Sequence, residues 1–322
     1  MKAAYLSGPG RLALADMDSD GKEALLAVEA CGVCHSDRKA LVKPPRGLEL
    51  PRILGHELVG TLLRDLASSG LQHGDRVVVW PAISCGKCPY CREGRENLCG
   101  SIRLFGYHLD GGFAEQVYLP RELIDSVRLL KIPPGLSAAT ATFCEPLACV
   151  VNGFSKLMLV PQRCLVVGAG LMGRLAARVA ASSGAEVLFH DIDQRRLDLA
   201  LVDGKVFDGQ RADVVFIAAS AEGAVQFGLE NLAPGGTILL FSGQAGDLRL
   251  DMVHNEIHQK EQTLIGVYGC RYRDMEQALV MLSTGQLLVD DLLSRRIGLD
   301  DLPAELAHQL EYDEYKVVMV NQ

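Results

Sequence analysis

The stretch "RCLVVGAGLMGRLAARVAASSGAEVLFHDID", residues 163–193, decides how the second half of the chain folds. "RCLVVGAG" is a short apolar run closed by glycine, the pattern of a strand buried on both faces. "LMGRLAARVAASSG" has apolar residues at helical spacing and stops at Gly184, so it reads as a helix. "AEVLFHDID" is a second strand. Between strand and helix, Gly168, Gly170 and Gly173 form G-x-G-x-x-G, with Leu171 and Met172 inside the pattern. Gly168 permits the tight turn, Gly170 lets backbone approach a pyrophosphate, and Gly173 lets helix and strand pack closely. The start of the helix offers unpaired N–H groups and a positive dipole to phosphate. Asp191 follows Gly170 by twenty-one residues, at the end of the second strand. An acid there accepts hydrogen bonds from the adenosine ribose hydroxyls and repels a 2′-phosphate, which predicts NAD over NADP. Arg195 and Arg196 lie just behind it, and arginines are groups that hold such a phosphate; Arg196 joins the candidate coenzyme-binding residues.

The pattern continues outward. "ADVVFIAAS", "GGTILLFSG" and "QTLIGVYG" read as further strands, and "SAEGAVQFGLENLAPGG" and "YRDMEQALVMLSTGQ" as helices. Such alternation builds a parallel sheet covered on both faces, a Rossmann doubly wound unit. The earlier part has a different texture. "LLAVEACGVC", "LVGTLL" and "DRVVVWPAI" are β-rich segments punctuated by Gly, Pro and charge. The tail is irregular and ends in the strand-like "YKVVMV", expected to pack back on the first domain. The expected division is therefore a β-rich domain over 1–150, a coenzyme domain over 151–285 and a return to the first domain over 286–322.

Bulk composition narrows the function classes. A net charge of −8 argues against electrostatic nucleic-acid binding. No unbroken apolar run reaches the length of a membrane span. The opening "MKAAYLSGPGRLALADMD" lacks the apolar core of a signal peptide. The expectation is a cytoplasmic chain in a reducing compartment, where clustered cysteines read as metal ligands rather than disulfides.

Such a cluster exists. "CGKCPYCREGRENLC" places Cys85, Cys88, Cys91 and Cys99 within fifteen residues. Four thiolates close a tetrahedral zinc site and leave no position for substrate, so the ion would be structural. Gly86, Pro89 and Gly94 let the backbone turn tightly around it. An iron–sulfur cluster uses the same four ligands.

Three further segments are unremarkable singly: "CGVCHSD" (31–37), "GHE" (55–57) and "FCEPLACV" (143–150). Taken in order with the cysteine loop, "DGGFAEQVYLP" and "GAGLMG", they resemble the zinc-dependent medium-chain alcohol and polyol dehydrogenases, on the sorbitol and threonine dehydrogenase branch, over essentially the whole chain. The resemblance implies a GroES-like β catalytic domain split by the Rossmann coenzyme domain, with a catalytic zinc in the cleft between them. It implies two Zn2+ per chain and NAD as cofactors. Cys34 and His56 match the first two ligands of the catalytic zinc. The third is Glu145 or its neighbour Cys144, with Glu145 favoured. Glu57 would lie beside the metal and approach it when a ligand leaves. Ser36 matches a hydroxyl that relays the substrate proton. The usual relay continues to a histidine, where this chain has Lys39; solvent or His35 would have to substitute. The stretch "LALVDGKVFDGQRADVVF" is short for the family, which predicts a reduced third helix–strand unit. Phe105, Tyr107 and His108 are candidates for the substrate wall and Arg271 for a contact with cofactor or substrate, with ordinary packing or surface as the plainer reading of each.

The implied reaction is hydride transfer between NAD(H) and a secondary alcohol or ketone of a polyol, sugar or amino-alcohol. An L-threonine-dehydrogenase-like activity and a non-catalytic zinc- and nucleotide-binding regulatory protein are the alternatives. The implied partners are a small-molecule alcohol or ketone and a second copy of the chain in a homodimer or homotetramer, with no nucleic acid and no membrane.

Overall fold

The computed structural model describes residues 1–321 except 46, 68, 222 and 244–253. The chain forms two compact units: Met1–Glu145 with Arg271–Gln322, and Pro146–Cys270. The helix Tyr272–Ser283, read above with the coenzyme domain, therefore belongs to the first unit.

The first unit is built on a seven-stranded sheet. Its strand order is Leu129–Lys131, Arg76–Val79, Glu57–Leu62, Glu23–Val33, Lys316–Val320 and Leu293–Ile297, and Gln116–Leu119 also pairs with Glu23–Val33. A smaller sheet joins Arg11–Asp16, Lys2–Gly8 and Arg52–Ile53. The long strand Glu23–Val33 sets the register that matters for function. It pairs Gly32 with Glu57 and Cys31 with Leu58 on one side, and Gly32 with Val318 on the other. Three segments far apart in sequence thus run side by side: "CGVC", "GHE" and the returning "YKVVMV". Leu26, Leu58, Leu62, Val77, Phe105, Phe113 and Met319 are buried together in its core. Each large apolar side chain buried this fully contributes about 1.5–3 kcal/mol relative to exposure. Burial of Phe105 in this cluster corrects its reading as substrate wall.

The second unit carries a six-stranded, wholly parallel sheet. Its order is Lys205–Val206, Glu186–His190, Arg163–Val167, Ala212–Ile217, Leu232–Leu240 and Thr263–Gly266. In chain order this is 3-2-1-4-5-6, the order of a dinucleotide-binding Rossmann sheet. Leu165, Val167, Leu188, Val215, Ile217 and Ile238 are buried in one cluster, which explains why these strands read as near-continuous apolar runs. The third unit is reduced as expected. Its strand has only the two residues Lys205–Val206, and no helix intervenes before Ala212–Ile217. Among the described residues, no helix is long and apolar enough to cross a membrane.

Candidate metal centres and coenzyme loop

The four-cysteine loop closes on itself. The Sγ atoms of Cys85, Cys88, Cys91 and Cys99 all lie within 4.8 Å of one another, and none is in a disulfide. The closure is local chemistry. Cys88 caps the short helix Pro89–Arg92, its Sγ accepting the Cys91 N–H, while Pro89 starts that helix without wasting a donor. Gly86 and Gly94 both take φ of +67°, which a side chain would resist. The donor set fits zinc, and one ligand is already activated. The Lys87 N–H, with those of Cys88 and the nearby Cys99 thiol, lowers the Cys85 pKa to about 6. Its folded value lies below that of an ordinary thiol. The stabilisation it contributes is therefore complete at alkaline pH and is lost as pH falls through about 6. In zinc-stripped protein, iodoacetamide should modify Cys85 before Cys88, Cys91 or Cys99, at a rate that titrates near pH 6. Mass-spectrometric mapping of the first-labelled peptide checks this, and equal labelling of all four thiols would contradict it.

The second cluster joins distant segments. Ligand atoms of Cys34, His56 and Glu57 lie within 4.8 Å of one another. Cys34 precedes the helix His35–Val42, and the buried Asp37 on that helix organises the cluster. Its Oδ2 accepts the Cys34 N–H at 3.0 Å, and its Oδ1 accepts the Gly55 N–H at 3.4 Å. The same Oδ1 lies 3.6 Å from His56 Nδ1. Asp37 thereby fastens both ligand-bearing segments to one carboxylate. It has no role in the sequence reading, although an acid three residues past a helix start is a recognisable capping signal.

The electrostatics suit a cation. Burial pushes the His56 pKa down, but Asp37 and Cys34 outweigh it and hold it well above the ordinary value. Burial pushes the Cys34 thiol up, and hydrogen bonding to His56 reverses this to a net lowering. Both shifts favour the charged forms, and metal binding displaces a proton from such a pair. His56 Nδ1 is buried and faces Asp37 Oδ1 at 3.6 Å. Thiolate and imidazole are zinc donors, so these residues fit the ion.

The third-ligand pair separates clearly. Cys144 is fully buried and its thiol donates to the Met275 carbonyl at 3.4 Å. Glu145 is half-buried at the first turn of the helix Cys144–Phe154, and its charge acts on the Cys34 thiol. Glu145 lies outside the tight Cys34–His56–Glu57 set.

Glu57 has a partner the sequence reading missed. Its Oε2 accepts a hydrogen bond from Lys316 Nζ, and both side chains are essentially inaccessible, at 2% and 0%. Burial lowers the Lys316 pKa, while Cys34, Cys31, Asp37 and the contacting Glu57 carboxylate oppose loss of its charge. Gly32 makes room for the pair: a Cβ there would collide with Glu57 Oε2 and with Lys316 Nζ. The glycine of "CGVC" is thus a packing requirement.

The remaining candidates separate. Ser36 Oγ is buried beside the Tyr107 hydroxyl. Tyr107 is half-buried, its ring 6.2 Å from that of His56. Lys39 and His35 are exposed. His108 is exposed, and its Nδ1 accepts the Leu104 N–H at 3.1 Å, holding a turn. Arg271 is buried and bound to Asp274 through Nε at 2.8 Å and Nη2 at 2.5 Å, so it braces the start of its helix.

In the second unit, Gly168 takes φ of +105° directly after the strand Arg163–Val167, and Gly170 precedes the helix Leu171–Ser182. A Cβ on Gly173 would collide with the Gly168 carbonyl, which explains the third glycine. Leu171 and Met172 are half-buried in the first turn. Asp191 Oδ2 accepts the Ala169 N–H at 2.7 Å and Oδ1 the Asp193 N–H at 2.9 Å, which seats the acid beside the loop. Arg195 pairs with Asp193 at 2.9 Å. Arg196 instead reaches the loop, its Nη1 3.3 Å from where a Gly170 Cβ would stand.

Comparison with known proteins agrees with this arrangement. The sequence model of the alcohol dehydrogenase GroES-like domain matches residues 20–133, and that of the 3-hydroxyacyl-CoA dehydrogenase NAD-binding domain matches residues 163–206. The chain is 33% identical to D-altritol 5-dehydrogenase of Agrobacterium fabrum, over 94% of each chain. It is 29% identical to L-galactonate-5-dehydrogenase of Escherichia coli, over 85% of this chain and 84% of that one. The fold is similar to that of a zinc-binding dehydrogenase from Sinorhizobium meliloti bound to NADP, with a TM-score of 0.88 and 28% identity over 99% of each chain. With a zinc-type donor set, a Rossmann sheet and relatives matched nearly end to end, the chain belongs to the zinc-dependent medium-chain alcohol and polyol dehydrogenase family.

Proposed function

We propose that this enzyme transfers a hydride between NAD and a secondary alcohol of a polyol, a sugar acid or an amino-alcohol, with the ketone as the other partner. The observation that carries the reading is the convergence of Cys34, His56 and Glu57 within 4.8 Å, in a chain that also holds a glycine loop with Asp191. Relatives named for altritol, galactonate and arabinitol support the polyol class, and those named for L-threonine support the amino-alcohol.

Cys34, His56 and Glu145 would hold the catalytic zinc, and Cys85, Cys88, Cys91 and Cys99 the structural one. When bound, zinc supplies the Lewis acidity that lowers a hydroxyl pKa, and NAD supplies the hydride acceptor. The chain contributes position and proton handling. Asp37 fixes the backbone at Cys34 and Gly55, so the ligand side chains are preorganised before substrate arrives. Ser36 Oγ takes the substrate hydroxyl proton and passes its own on; solvent or His35 completes the relay in place of a lysine. Asp191 disfavours a 2′-phosphate, which supports NAD although the Sinorhizobium relative holds NADP. Assembly as a homodimer or homotetramer is part of the proposal and rests on family membership.

The test is a spectrophotometric screen of zinc-loaded protein against polyols, aldonates, amino-alcohols and L-threonine with NAD and with NADP. Turnover of a polyol or aldonate with NAD is expected. Selective turnover of L-threonine would move the assignment to the amino-alcohol, and silence across the whole panel with both coenzymes would count against a dehydrogenase.

A further inference from the structure

A pair of thiols beside Glu145, neither of them assigned above as a metal ligand, has no part in the reaction described above. Cys149 lies on the helix Cys144–Phe154 and Cys270 just beyond the strand Thr263–Gly266, and their Sγ atoms and a carboxylate oxygen of Glu145 all lie within 4.8 Å of one another. Cys149 is half-buried and Cys270 is buried. The two segments are pinned together independently of the sulfurs. Asn152, fully buried and three residues on from Cys149, donates through Nδ2 to the Gly269 carbonyl at 2.7 Å and the Tyr268 carbonyl at 3.4 Å. Residues three apart share a helix face, so the face that carries Cys149 is the one held against Tyr268–Cys270. Gly269 takes φ of +56°, and the turn it allows returns Cys270 towards that helix.

The location gives the pair its significance. Val267–Cys270 leaves the carboxyl end of a parallel strand. The Gly168 loop leaves the carboxyl end of another strand of the same sheet. In open parallel sheets, ligands bind at this edge. We propose that Cys149 and Cys270 form a peroxide-responsive dithiol whose closure to a disulfide weakens coenzyme binding.

The chemistry balances with hydrogen peroxide as oxidant. The half-buried Cys149 sulfur attacks one peroxide oxygen, the O–O bond breaks, and a sulfenic acid and one water result. The Cys270 sulfur then attacks that of Cys149, forming the S–S bond and expelling the hydroxyl as a second water. Two thiols are oxidised, and both peroxide oxygens are reduced. Closure requires the two sulfurs, within 4.8 Å of each other, to approach to bonding distance.

The coenzyme part of this inference rests on the dehydrogenase reading; the disulfide does not. Zinc-loaded protein is treated with hydrogen peroxide, alkylated and mapped by mass spectrometry without reduction. NADH affinity is followed by fluorescence, and zinc release by a chelating dye. The expected result is a Cys149–Cys270 cross-linked peptide and an NADH affinity weakened about tenfold, both reversed by dithiothreitol. Cys149→Ser under the same treatment is expected to keep the NADH affinity it shows before peroxide. Recovery of Cys149 and Cys270 as separately alkylated peptides would overturn the proposal. So would cross-linked protein that binds NADH as tightly as reduced protein, or an affinity loss that tracks zinc release instead of the cross-link. Reduced protein that binds no NADH would count against the dehydrogenase reading, while the peptide map would still decide the disulfide.

Discussion

Cys34→Ala is expected to yield a folded chain with at least about a thousandfold lower kcat/KM, a loss of several kcal/mol of transition-state stabilisation. Its zinc content is expected to fall from two ions per chain to one. The fold survives because the bond that anchors this position uses the backbone: the Cys34 N–H donates to Asp37 Oδ2, and alanine keeps that N–H. The activity does not survive because a sulfur ligand is removed from the set that Cys34 forms with His56 and Glu57. Elemental analysis, a circular-dichroism melt and steady-state kinetics on the same preparation separate these effects. Wild-type turnover in this variant would remove Cys34 from the catalytic centre. Loss of fold together with activity would show that the cluster is structural.

Lys316→Met should be the most destabilising single change at this centre. Glu57 is 2% exposed and Lys316 wholly inaccessible, and their charges meet directly. Breaking a buried pair by removing one member costs about 3–5 kcal/mol, because the other charge is stranded away from water. Replacing both members with neutral groups of similar size should recover most of that loss. The experiment is a cycle of Lys316→Met, Glu57→Gln and the double variant, read by urea unfolding of zinc-loaded protein. The single lysine variant should have a much lower midpoint, and the double variant should lie closer to wild type. An unchanged midpoint for Lys316→Met would mean that the pair carries no weight in the folded protein.

The sequence alone was enough where chemistry and spacing are local. Gly168, Gly170 and Gly173 sit within six residues, and a strand before them with a helix after them leaves the loop little choice of geometry. The four cysteines converge for the same reason, since Gly86, Pro89 and Gly94 turn a short chain around a small volume. The truncated third unit was also legible, because too few residues separate the third and fourth strands, Lys205–Val206 and Ala212–Ile217, to build a helix. For residues judged one at a time the plainer reading of ordinary packing fits the structure: Phe105 lies in the core, and Arg271 binds Asp274 three residues on.

Tertiary structure alone decided what depends on register between distant strands. Cys34 and His56 meet because Gly32 pairs with Glu57 across two antiparallel strands, and Asp37 then holds both segments. Lys316 reaches Glu57 from 259 positions away. Nothing in "YKVVMV" distinguishes that lysine from a solvated one, because what buries it is its neighbours in the folded sheet. A charge's cost depends on what surrounds it, and composition and spacing do not contain that information. Spacing places ligands that share a loop; for those that do not, the strand pairing must first bring their chains together.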